Sequence, residues 1–377
     1  MKPLKILLTG GGTAGHINPA LAVAGYVRDR VPNAEILFVG SRGGMEEKLV
    51  PKAGFRIETV EVSGLIRSMS TKAIRHNLRA VKLAFTASAE SARILEKFQP
   101  DICVGTGGYV SGPVLRKAKQ MGFPVVIHEA NAFPGVTVKM LAKYADRILL
   151  AVADAEPKLG GKYHEKIVIT GNPVRSEMLT TDRAKAREKL GLDARPVILS
   201  YGGSLGAEQV NRAVAELICK TAETDRVQHI HAYGQYGGWF PELLENRGVH
   251  LAAHPNLDIR EYIHNMPDCA AAADLMICRA GAMTLTELQA LAKPAILIPS
   301  PNVAENHQYY NALALSSRGA AVLLEEKDLT GEKLIEIVTD LLDHPDRMRE
   351  CGARAGKMAI LDANERIFRE IQAVLKR

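Results

Sequence analysis

The stretch LKILLTGGGTAGH, residues 4–16, decides the fold class of this chain. It begins with a short apolar run, Leu4 to Thr9, which predicts a buried strand, and it continues into a glycine-rich turn. A helical pattern follows from Pro19 to Arg30, and a second apolar run at Ile36 to Val39 predicts the next strand. A strand, a tight turn and a helix in this order open a parallel α/β sheet.

The same alternation continues along the chain and then begins again. Further strands of the first half are predicted at Ile102–Val104, Val125–His128, Arg147–Ala151 and Ile167–Thr170. Strands of the second half are predicted at Val197–Ser200, His229–Ala232, His250–Ala252, Leu275–Cys278 and Ala295–Ile298. The sequence therefore predicts an α/β fold with two Rossmann-like, doubly wound domains that face a central cleft.

Domain boundaries are predicted from the linker Gly171-Asn172-Pro173. Residues 1–172 form the predicted N-terminal domain, and residues 173–353 form the predicted C-terminal domain. Residues 354–377 include a charged amphipathic helix, Arg354–Lys376, for which packing on either half stays open. We predict that this helix returns to pack on the N-terminal domain.

Composition excludes several classes of protein. The 377 residues are 47% apolar and 24% charged, which is typical of globular proteins and not of disordered or collagen-like chains. No apolar run approaches the roughly 18 residues of a membrane-spanning helix. The apolar stretch at the N-terminus is too short for a signal peptide, so we expect a cytosolic chain. Five cysteines without a CxxC pair indicate reduced, buried thiols.

The net charge of +6 is unevenly divided between the two halves. Residues 1–172 contain 24 Lys and Arg against 14 Asp and Glu, a net of +10, whereas residues 173–377 contain 24 against 28, a net of −4. A basic half suggests an anionic partner, and phosphates, nucleic acid or a lipid surface all fit at this point.

The first glycine-rich turn, GGGTAGH at residues 10–16, formally matches the GxGxxG fingerprint of dinucleotide-binding folds. Gly40-Ser41-Arg42 stands where an acidic ribose ligand is expected, which disfavours NAD but leaves NADP open through Arg42. A tight turn without a ligand is the other interpretation. His16 is a candidate base, because the start of a helix favours the neutral imidazole; a histidine that only caps the turn is the alternative.

Further glycine-rich turns lie at residues 105–113 and 202–207, and none of the turns has the GK[ST] of a P-loop. A last segment, CRAGAMTLTE at residues 278–287, runs from a strand into a helix. We expect the amides of Ala282 to Thr284 to bind a diphosphate and Glu287 to accept hydrogen bonds from two ribose hydroxyls. A capping box, with Thr284 as N-cap and Glu287 at N3, is the local alternative.

No metal site and no cofactor are predicted. The chain has no HExxH motif, no Cys/His cluster and no Asp-x-Asp pair. The charge of a diphosphate is therefore expected to be balanced by helix N-termini and by a cation such as Arg175.

Residues Leu65–Phe85 combine apolar residues at helical spacing with cations and no acidic residue; the cations are Arg67, Lys72, Arg75, Arg79 and Lys82. Such a basic amphipathic segment can lie on an anionic membrane surface. An ordinary surface helix with its apolar stripe in the core is the alternative.

Seven motifs together resemble the MurG family of glycosyltransferases closely, from residue 4 to about residue 320 and in the family's order: GGTAGH, GTGGYVSGP, HEANAFPG, GNPVR, GGSLGA, CRAGAMTLTE and NHQYYNA. The resemblance implies the GT-B fold. It implies an inverting, metal-independent transfer of N-acetylglucosamine from UDP-N-acetylglucosamine to the MurNAc 4-hydroxyl of lipid I, undecaprenyl-pyrophosphoryl-MurNAc-pentapeptide. The products are lipid II and UDP in peptidoglycan synthesis.

The same resemblance implies partners and a location. The partners are UDP-N-acetylglucosamine, the lipid I acceptor and an anionic membrane surface, with no cofactor; no nucleic-acid-binding motif is present. The location is peripheral, on the cytoplasmic face of the cell membrane, with roles in cell-wall biogenesis, cell shape and cell division. The oligomeric state stays open.

Carried over by motif, the family's site residues fall into two groups, a catalytic base and a set of donor contacts. The catalytic base is proposed at His16. The donor contacts implied are Thr13, Ala14, Gly15, Asn131, Arg175, Ser204, Ile263, Ala282, Met283, Thr284, Leu285, Thr286, Glu287 and Gln308. Many relatives have glycine in place of Ala14. This difference puts the backbone φ at the position in question, but not the predicted activity.

Three other functions stay open from the sequence. A glycolipid synthase of the same fold would glycosylate diacylglycerol. An NADP-dependent oxidoreductase would use the first glycine-rich turn, and a sugar-nucleotide epimerase would convert the donor without an acceptor.

Overall fold

The computed structural model describes residues 3–64, 71–174 and 176–376, without the side chains of residues 71–82, 84, 85 and 176. The chain divides into two compact units, Met1–Pro173 with Ile360–Arg377, and Val174–Ala359. Each unit contains one parallel sheet with helices between its strands. The predicted α/β fold with two Rossmann-like, doubly wound domains is confirmed.

The sheet of the first unit has seven parallel strands: β1 (Lys5–Thr9), β2 (Glu35–Ser41), β3 (Arg56–Val60), β4 (Ile102–Gly105), β5 (Val125–Glu129), β6 (Arg147–Leu150) and β7 (Ile167–Ile169). Their order is β3-β2-β1-β4-β5-β6-β7. The central strands β1, β4 and β5 are buried on both faces, which is why they read as continuous apolar runs. Strand β3 is not predicted from the sequence, because RIETV alternates polar and apolar residues and only Val60 is fully buried.

Helices follow most of these strands: α1 (Ala14–Arg30), α2 (Glu46–Lys52), α3 (Thr71–Phe98), α4 (Ser111–Gln120) and α5 (Val136–Leu141). Short 3₁₀ helices lie at Ala153–Leu159 and Gly161–Lys166. Successive residues of β1 point to opposite faces of the sheet. Leu7 therefore packs in the core that contains Leu95 of α3, whereas Ile6 and Leu8 pack in the core that contains Ile17 of α1.

The second unit repeats this plan. Its strands are β8 (Val197–Tyr201), β9 (Gln228–Ala232), β10 (Leu257–Arg260), β11 (Leu275–Cys278), β12 (Ala295–Leu297) and β13 (Val322–Leu323), in the order β10-β9-β8-β11-β12-β13. Its helices are α6 (Ser176–Thr180), α7 (Arg183–Lys189), α8 (Glu208–Ala222), α9 (Phe240–Asn246), α10 (Met266–Ala272), α11 (Ala282–Ala290), α12 (His307–Ser316), α13 (Gly331–Asp343) and α14 (Pro345–Lys357). Further 3₁₀ helices lie at Leu251–Ala253, Ala304–Asn306 and Glu326–Asp328.

The strand predicted at His250–Ala252 is wrong, because the chain turns there into a 3₁₀ helix. The Glu245 carboxylate accepts a hydrogen bond from the Leu251 amide at 2.8 Å and contacts His250 Nδ1 at 2.8 Å, which fixes this turn. The edge strand is β10. The buried Asn256 side chain donates to the Val227 carbonyl at 3.1 Å and thereby aligns the following residues with β9.

The single helix predicted over Arg354–Lys376 is also wrong. The chain forms α14 and then a separate α15 (Ala363–Leu375), with no helix over 359–362. The intervening segment lies close to Gly171, where an added Cβ would approach the Ile360 Cβ to 2.8 Å. Residues 358–362 contain neither Gly nor Pro, so the amphipathic pattern continues across the break in the sequence.

Helix α15 belongs to the first unit. Ile367, Ile371 and Val374 are buried in the same core as Ile17. Arg147 of β6 donates from Nε to Glu370 Oε2 at 3.0 Å. In the part of the chain that the structure describes, no helix is long and apolar enough to cross a membrane.

Candidate active site

The strand order reverses at one place in each sheet, and the glycine-rich turns lie at those two places. In the first unit the reversal falls between β1 and β4, and in the second it falls between β8 and β11. Open parallel sheets bind their ligands at the carboxyl edge of such a switch point. The turns after β1 and β4 flank the first switch point, and the turns after β8 and β11 flank the second.

At the first switch point the two turns touch each other. The Gly11 amide donates to the Gly107 carbonyl at 3.4 Å. Gly108 has φ +85°, and a Cβ there would lie 2.2 Å from the Gly11 carbonyl oxygen. A side chain at Gly108 would force the turns apart, so glycine is needed there for close backbone contact.

His16 is held against the second of these turns. Its Nδ1 lies 3.1 Å from the Thr106 carbonyl oxygen, and the Thr106 hydroxyl donates to the His16 carbonyl at 2.6 Å. Burial lowers the pKa of the imidazole below its usual 6.5, although the contact with Thr106 acts in the opposite direction. Because a carbonyl only accepts, Nδ1 carries the proton in the neutral ring and Nε2 keeps its lone pair.

Thr13, Ala14 and Gly15 precede His16 at the start of α1 and are exposed. Thr13 is the N-cap, without a side-chain capping bond, and the three amides have no hydrogen-bond partner in the described part of the chain. Ala14 does not have a positive φ, so the alanine introduces no backbone strain. These amides can bind an anion or a polar oxygen.

Asn131 is oriented by Glu129, a buried carboxylate that the sequence analysis does not single out. Glu129 Oε1 accepts from the Asn131 amide and from its Nδ2, both at 2.9 Å. Its Oε2 accepts from the Gly135 amide at 2.8 Å. Glu129 therefore fixes the loop of residues 131–135; its sequence signals are its place at the end of a buried strand and within the motif HEANAFPG.

In the second unit, helix α11 begins at Ala282 with Gly281 as its N-cap. The capping-box interpretation, with Thr284 as N-cap, is therefore wrong. The amides of Ala282, Met283 and Thr284 have no hydrogen-bond partner in the described part of the chain. Three such amides at the positive end of a helix dipole can donate hydrogen bonds to an anion.

The remaining predicted residues of α11 divide between the site and the core. Leu285 and Thr286 are buried, and the Thr286 hydroxyl donates to the Ala282 carbonyl at 2.9 Å. Their side chains therefore stabilise α11 within the unit. Glu287 is only partly buried, one turn along α11.

Two residues near the start of α11, Tyr201 and Arg279, are not singled out from the sequence. The Tyr201 hydroxyl lies beside Cys278 and Thr284, and burial, with Cys278 and Glu287 nearby, raises its pKa well above 10. Arg279 donates to the carbonyls of Ile298 and Pro299, each at 3.2 Å, and forms an ion pair with Glu326. Both contacts cross between strands, which a linear motif does not reveal.

Ser204 and Ile263 lie on other loops at the carboxyl edge of this sheet, and Gln308 lies on the first turn of α12. Ser204 is exposed on the turn after β8, and its carbonyl accepts from the Gln235 amide at 3.1 Å. Ile263 follows β10 and is only 4% exposed. The Gln308 Oε1 accepts from the Ser300 amide at 2.9 Å, which orients Nε2 as the donor. Arg175 lies outside the described residues.

Arg42, the residue considered for an NADP phosphate, is engaged with carboxylates. It lies 3.7 Å from Glu61 and 3.3 Å from Glu90. The side chain would have to leave both partners to bind a phosphate, which argues against NADP. Among the described residues, no group of three or more His, Cys, Asp or Glu could hold a metal ion.

Comparisons with known proteins agree with this arrangement. The glycosyltransferase family 28 N-terminal domain model matches residues 6–150, and the C-terminal domain model matches residues 197–367. The UDP-N-acetylglucosamine–N-acetylmuramyl-(pentapeptide) pyrophosphoryl-undecaprenol N-acetylglucosamine transferase of Acetivibrio thermocellus is 44% identical over 376 residues, covering 99% of both chains. The protein of the same name from Desulforamulus reducens is 40% identical, covering 99% of this chain and all of the relative. The crystal structure of Acinetobacter baumannii MurG superposes with a TM-score of 0.78 at 26% identity, covering 98% of this chain and 100% of that one.

Proposed function

Because the chain belongs to glycosyltransferase family 28 and to its MurG group of N-acetylglucosaminyltransferases, we propose that it forms lipid II. It transfers N-acetylglucosamine from UDP-N-acetylglucosamine to the MurNAc 4-hydroxyl of lipid I, with inversion, and releases UDP. The main support for this proposal is that relatives covering the full chain are named for this transfer. The unpartnered amides of Ala282 to Thr284 support it, since a sugar nucleotide brings a diphosphate.

The donor is bound by the second unit. The amides of Ala282, Met283 and Thr284 hold the diphosphate, and Glu287 accepts from the ribose hydroxyls. The backbone of Ile263 pairs with the uracil edge, and Ser204 lies near the uridine. Gln308 donates from Nε2 to a sugar hydroxyl, because its Oε1 is taken by Ser300. Arg175 adds a cation to this set, from outside the described residues.

The acceptor hydroxyl is activated in the first unit. Nε2 of neutral His16 removes the proton from the 4-hydroxyl as the oxygen attacks C1 of the donor sugar. The bond from C1 to the UDP oxygen breaks through an oxocarbenium-like transition state. The amides at the start of α11 stabilise the charge that develops on departing UDP. Thr13, Ala14, Gly15 and Asn131 complete the polar contacts to the sugars.

Labelled UDP-N-acetylglucosamine tests the reaction with three samples: lipid I, diacylglycerol, and no acceptor. We expect label in lipid II only. Transfer to diacylglycerol alone would make the protein a glycolipid synthase. Conversion of the donor sugar without acceptor would make it an epimerase, and in either case the proposal fails.

The site of action is proposed to be the cytoplasmic face of the membrane, where the protein binds peripherally. Two features of the sequence support this: the +10 charge of residues 1–172, and the cations Lys72, Arg75, Arg79 and Lys82. The side chains of these four cations are not among those that the structure describes. Replacing these four by Gln should abolish salt-sensitive binding to vesicles that contain anionic lipid. The matched control replaces four exposed cations of the second unit, Lys220, Lys327, Lys333 and Arg349. Equal loss in both variants would contradict the proposal.

A further inference from the structure

Glu46 is a buried carboxylate directly behind the first glycine-rich turn. It is 1% exposed and is the first residue of α2. Its Oε1 accepts from the Ser41 amide at 2.7 Å, and its Oε2 accepts from the Gly12 amide at 3.2 Å. The Ser41 amide lies at the end of β2, and the Gly12 amide lies in the turn after the neighbouring strand β1, so one side chain joins that turn to the end of β2.

Three glycines form the walls around this carboxylate. A Cβ at Gly11 would lie 2.1 Å from Glu46 Oε1, one at Gly40 would lie 2.4 Å from its Cγ, and one at Gly44 would lie 2.6 Å from its Cδ. Any side chain at these positions would displace Glu46 or the backbone. The glycines therefore make room for an internal carboxylate as well as for the turn.

A buried carboxylate is costly unless hydrogen bonds satisfy it. Among the described residues Glu46 has no cation within ion-pair distance, so its charge is stabilised by the two amides and by the start of α2. Amides of a glycine-rich turn ordinarily donate hydrogen bonds to a ligand phosphate. Here the Gly12 amide is occupied by Glu46 and the Gly11 amide by the Gly107 carbonyl.

We infer that Glu46 is a positioning residue of the transfer reaction, an internal anion that takes the phosphate position of the Gly10–Gly12 turn and so fixes the start of α1. Only Thr13, Ala14 and Gly15 separate Gly12 from His16. A shift of the Gly12 amide therefore moves the base. This inference rests on the proposed function, in which His16 acts on the acceptor hydroxyl.

The test is chemical rescue of the Glu46→Ala variant by formate, a carboxylate small enough for the vacated space. We expect kcat to fall about 100-fold, as for a base displaced by about an ångström, with KM for UDP-N-acetylglucosamine within about twofold of wild type, because the donor amides lie in the other unit. Formate should restore kcat saturably, whereas chloride at equal ionic strength should not.

Two variants separate this role from general destabilisation. Glu46→Gln fills the same space but turns an NH₂ group toward an amide donor, so its kcat should fall without rescue by formate. Val50→Ala removes a buried side chain of the same helix while keeping the carboxylate. Its melting temperature should fall, and its activity should not depend on formate.

The outcomes also separate this inference from the proposed function. Wild-type protein without transfer to lipid I would end the proposed function. A folded Glu46→Ala protein that turns over normally, or whose loss formate does not restore, would overturn the role of Glu46 alone. If Glu46→Ala does not fold, Glu46→Gln decides, and normal kcat in that variant overturns the inference.

Discussion

At the scale of single residues, the contact between His16 and Thr106 determines which nitrogen can act as a base. The Thr106 carbonyl 3.1 Å away holds the proton on Nδ1, so the lone pair is on Nε2. Burial lowers the pKa below 6.5 and keeps the ring neutral at physiological pH. The same hydrogen bond would exist in a merely structural histidine, so a variant must remove Nε2 while keeping the Thr106 contact.

The His16→Asn variant makes this separation. The Asn amide can donate to the Thr106 carbonyl as Nδ1 does, but it has no atom in the place of Nε2. We expect kcat to fall by about 10²- to 10⁴-fold, the usual contribution of a general base, with unchanged affinity for UDP by calorimetry. His16→Ala should lose both kcat and thermal stability.

The pH profile gives an independent test of the same residue. Protonation removes the lone pair, so wild-type kcat should decline only as pH falls through the lowered pKa, below 6.5. This acidic limb should be absent from the residual activity of His16→Asn. Near-normal turnover in that variant, or an identical limb, would remove His16 from the chemistry.

At the scale of elements, the turn before α12 contains consecutive residues in the left-handed region. Glu305 has φ +58° and Asn306 has φ +51°, and Gln308 follows on the first turn of the helix. Left-handed backbone costs a residue with a Cβ about 1 kcal/mol or more. Asn tolerates it better than Glu, so the strain is greatest at Glu305.

Comparing Glu305→Gly with Glu305→Ala isolates that strain, since both variants lose the side chain. We expect the Gly variant to be more stable than the Ala variant by about 1 kcal/mol in denaturant unfolding. An ordinary helical position has the opposite order, with Ala more stable by about the same amount. An Ala variant of equal or greater stability would therefore show that Glu305 is not strained.

The elements also show why sequence predicts some features and not others. The central strands and the start of α1 follow from local patterns: continuous apolar runs, and glycines before a helical period. The roles of Glu46 and Tyr201 do not follow from local patterns. Glu46 accepts a hydrogen bond from Gly12, which is 34 positions away in the sequence. Tyr201 lies at the end of β8, next to a helix that begins 81 residues later. Edge strands such as β10 are short and partly exposed, so their sequence resembles a loop.

At the scale of the whole molecule, each unit has its own core and is expected to respond to pH through its own buried groups. The second unit contains His229 and His231 on β9, both fully buried. His229 Nε2 lies 2.7 Å from the Thr221 hydroxyl, and His231 Nδ1 lies 2.9 Å from the Ser200 hydroxyl. The other ring nitrogens, His229 Nδ1 and His231 Nε2, have no hydrogen-bond partner among the described residues.

Burial lowers the pKa of His229 to about 4 and that of His231 to about 3, the latter also through its neighbour His229. In the unfolded chain both return to about 6.5. Below pH 6.5 the unfolded state therefore binds more protons than the folded state, and stability falls as pH falls. Each histidine contributes a slope of up to about 1.4 kcal/mol per pH unit until its folded pKa is reached.

This slope can be measured on the second unit alone, because Trp239 is the one tryptophan of the chain and packs on Phe240 within that unit. Unfolding by guanidinium, followed by Trp239 fluorescence between pH 6.5 and 5, should show stability declining with an uptake of about two protons. The double variant His229→Gln, His231→Asn keeps amide groups beside Thr221 and Ser200 but cannot titrate. Its stability should stay nearly constant across this range. A wild-type slope that the double variant reproduces would mean that other groups, and not these two histidines, limit the acid stability of the unit.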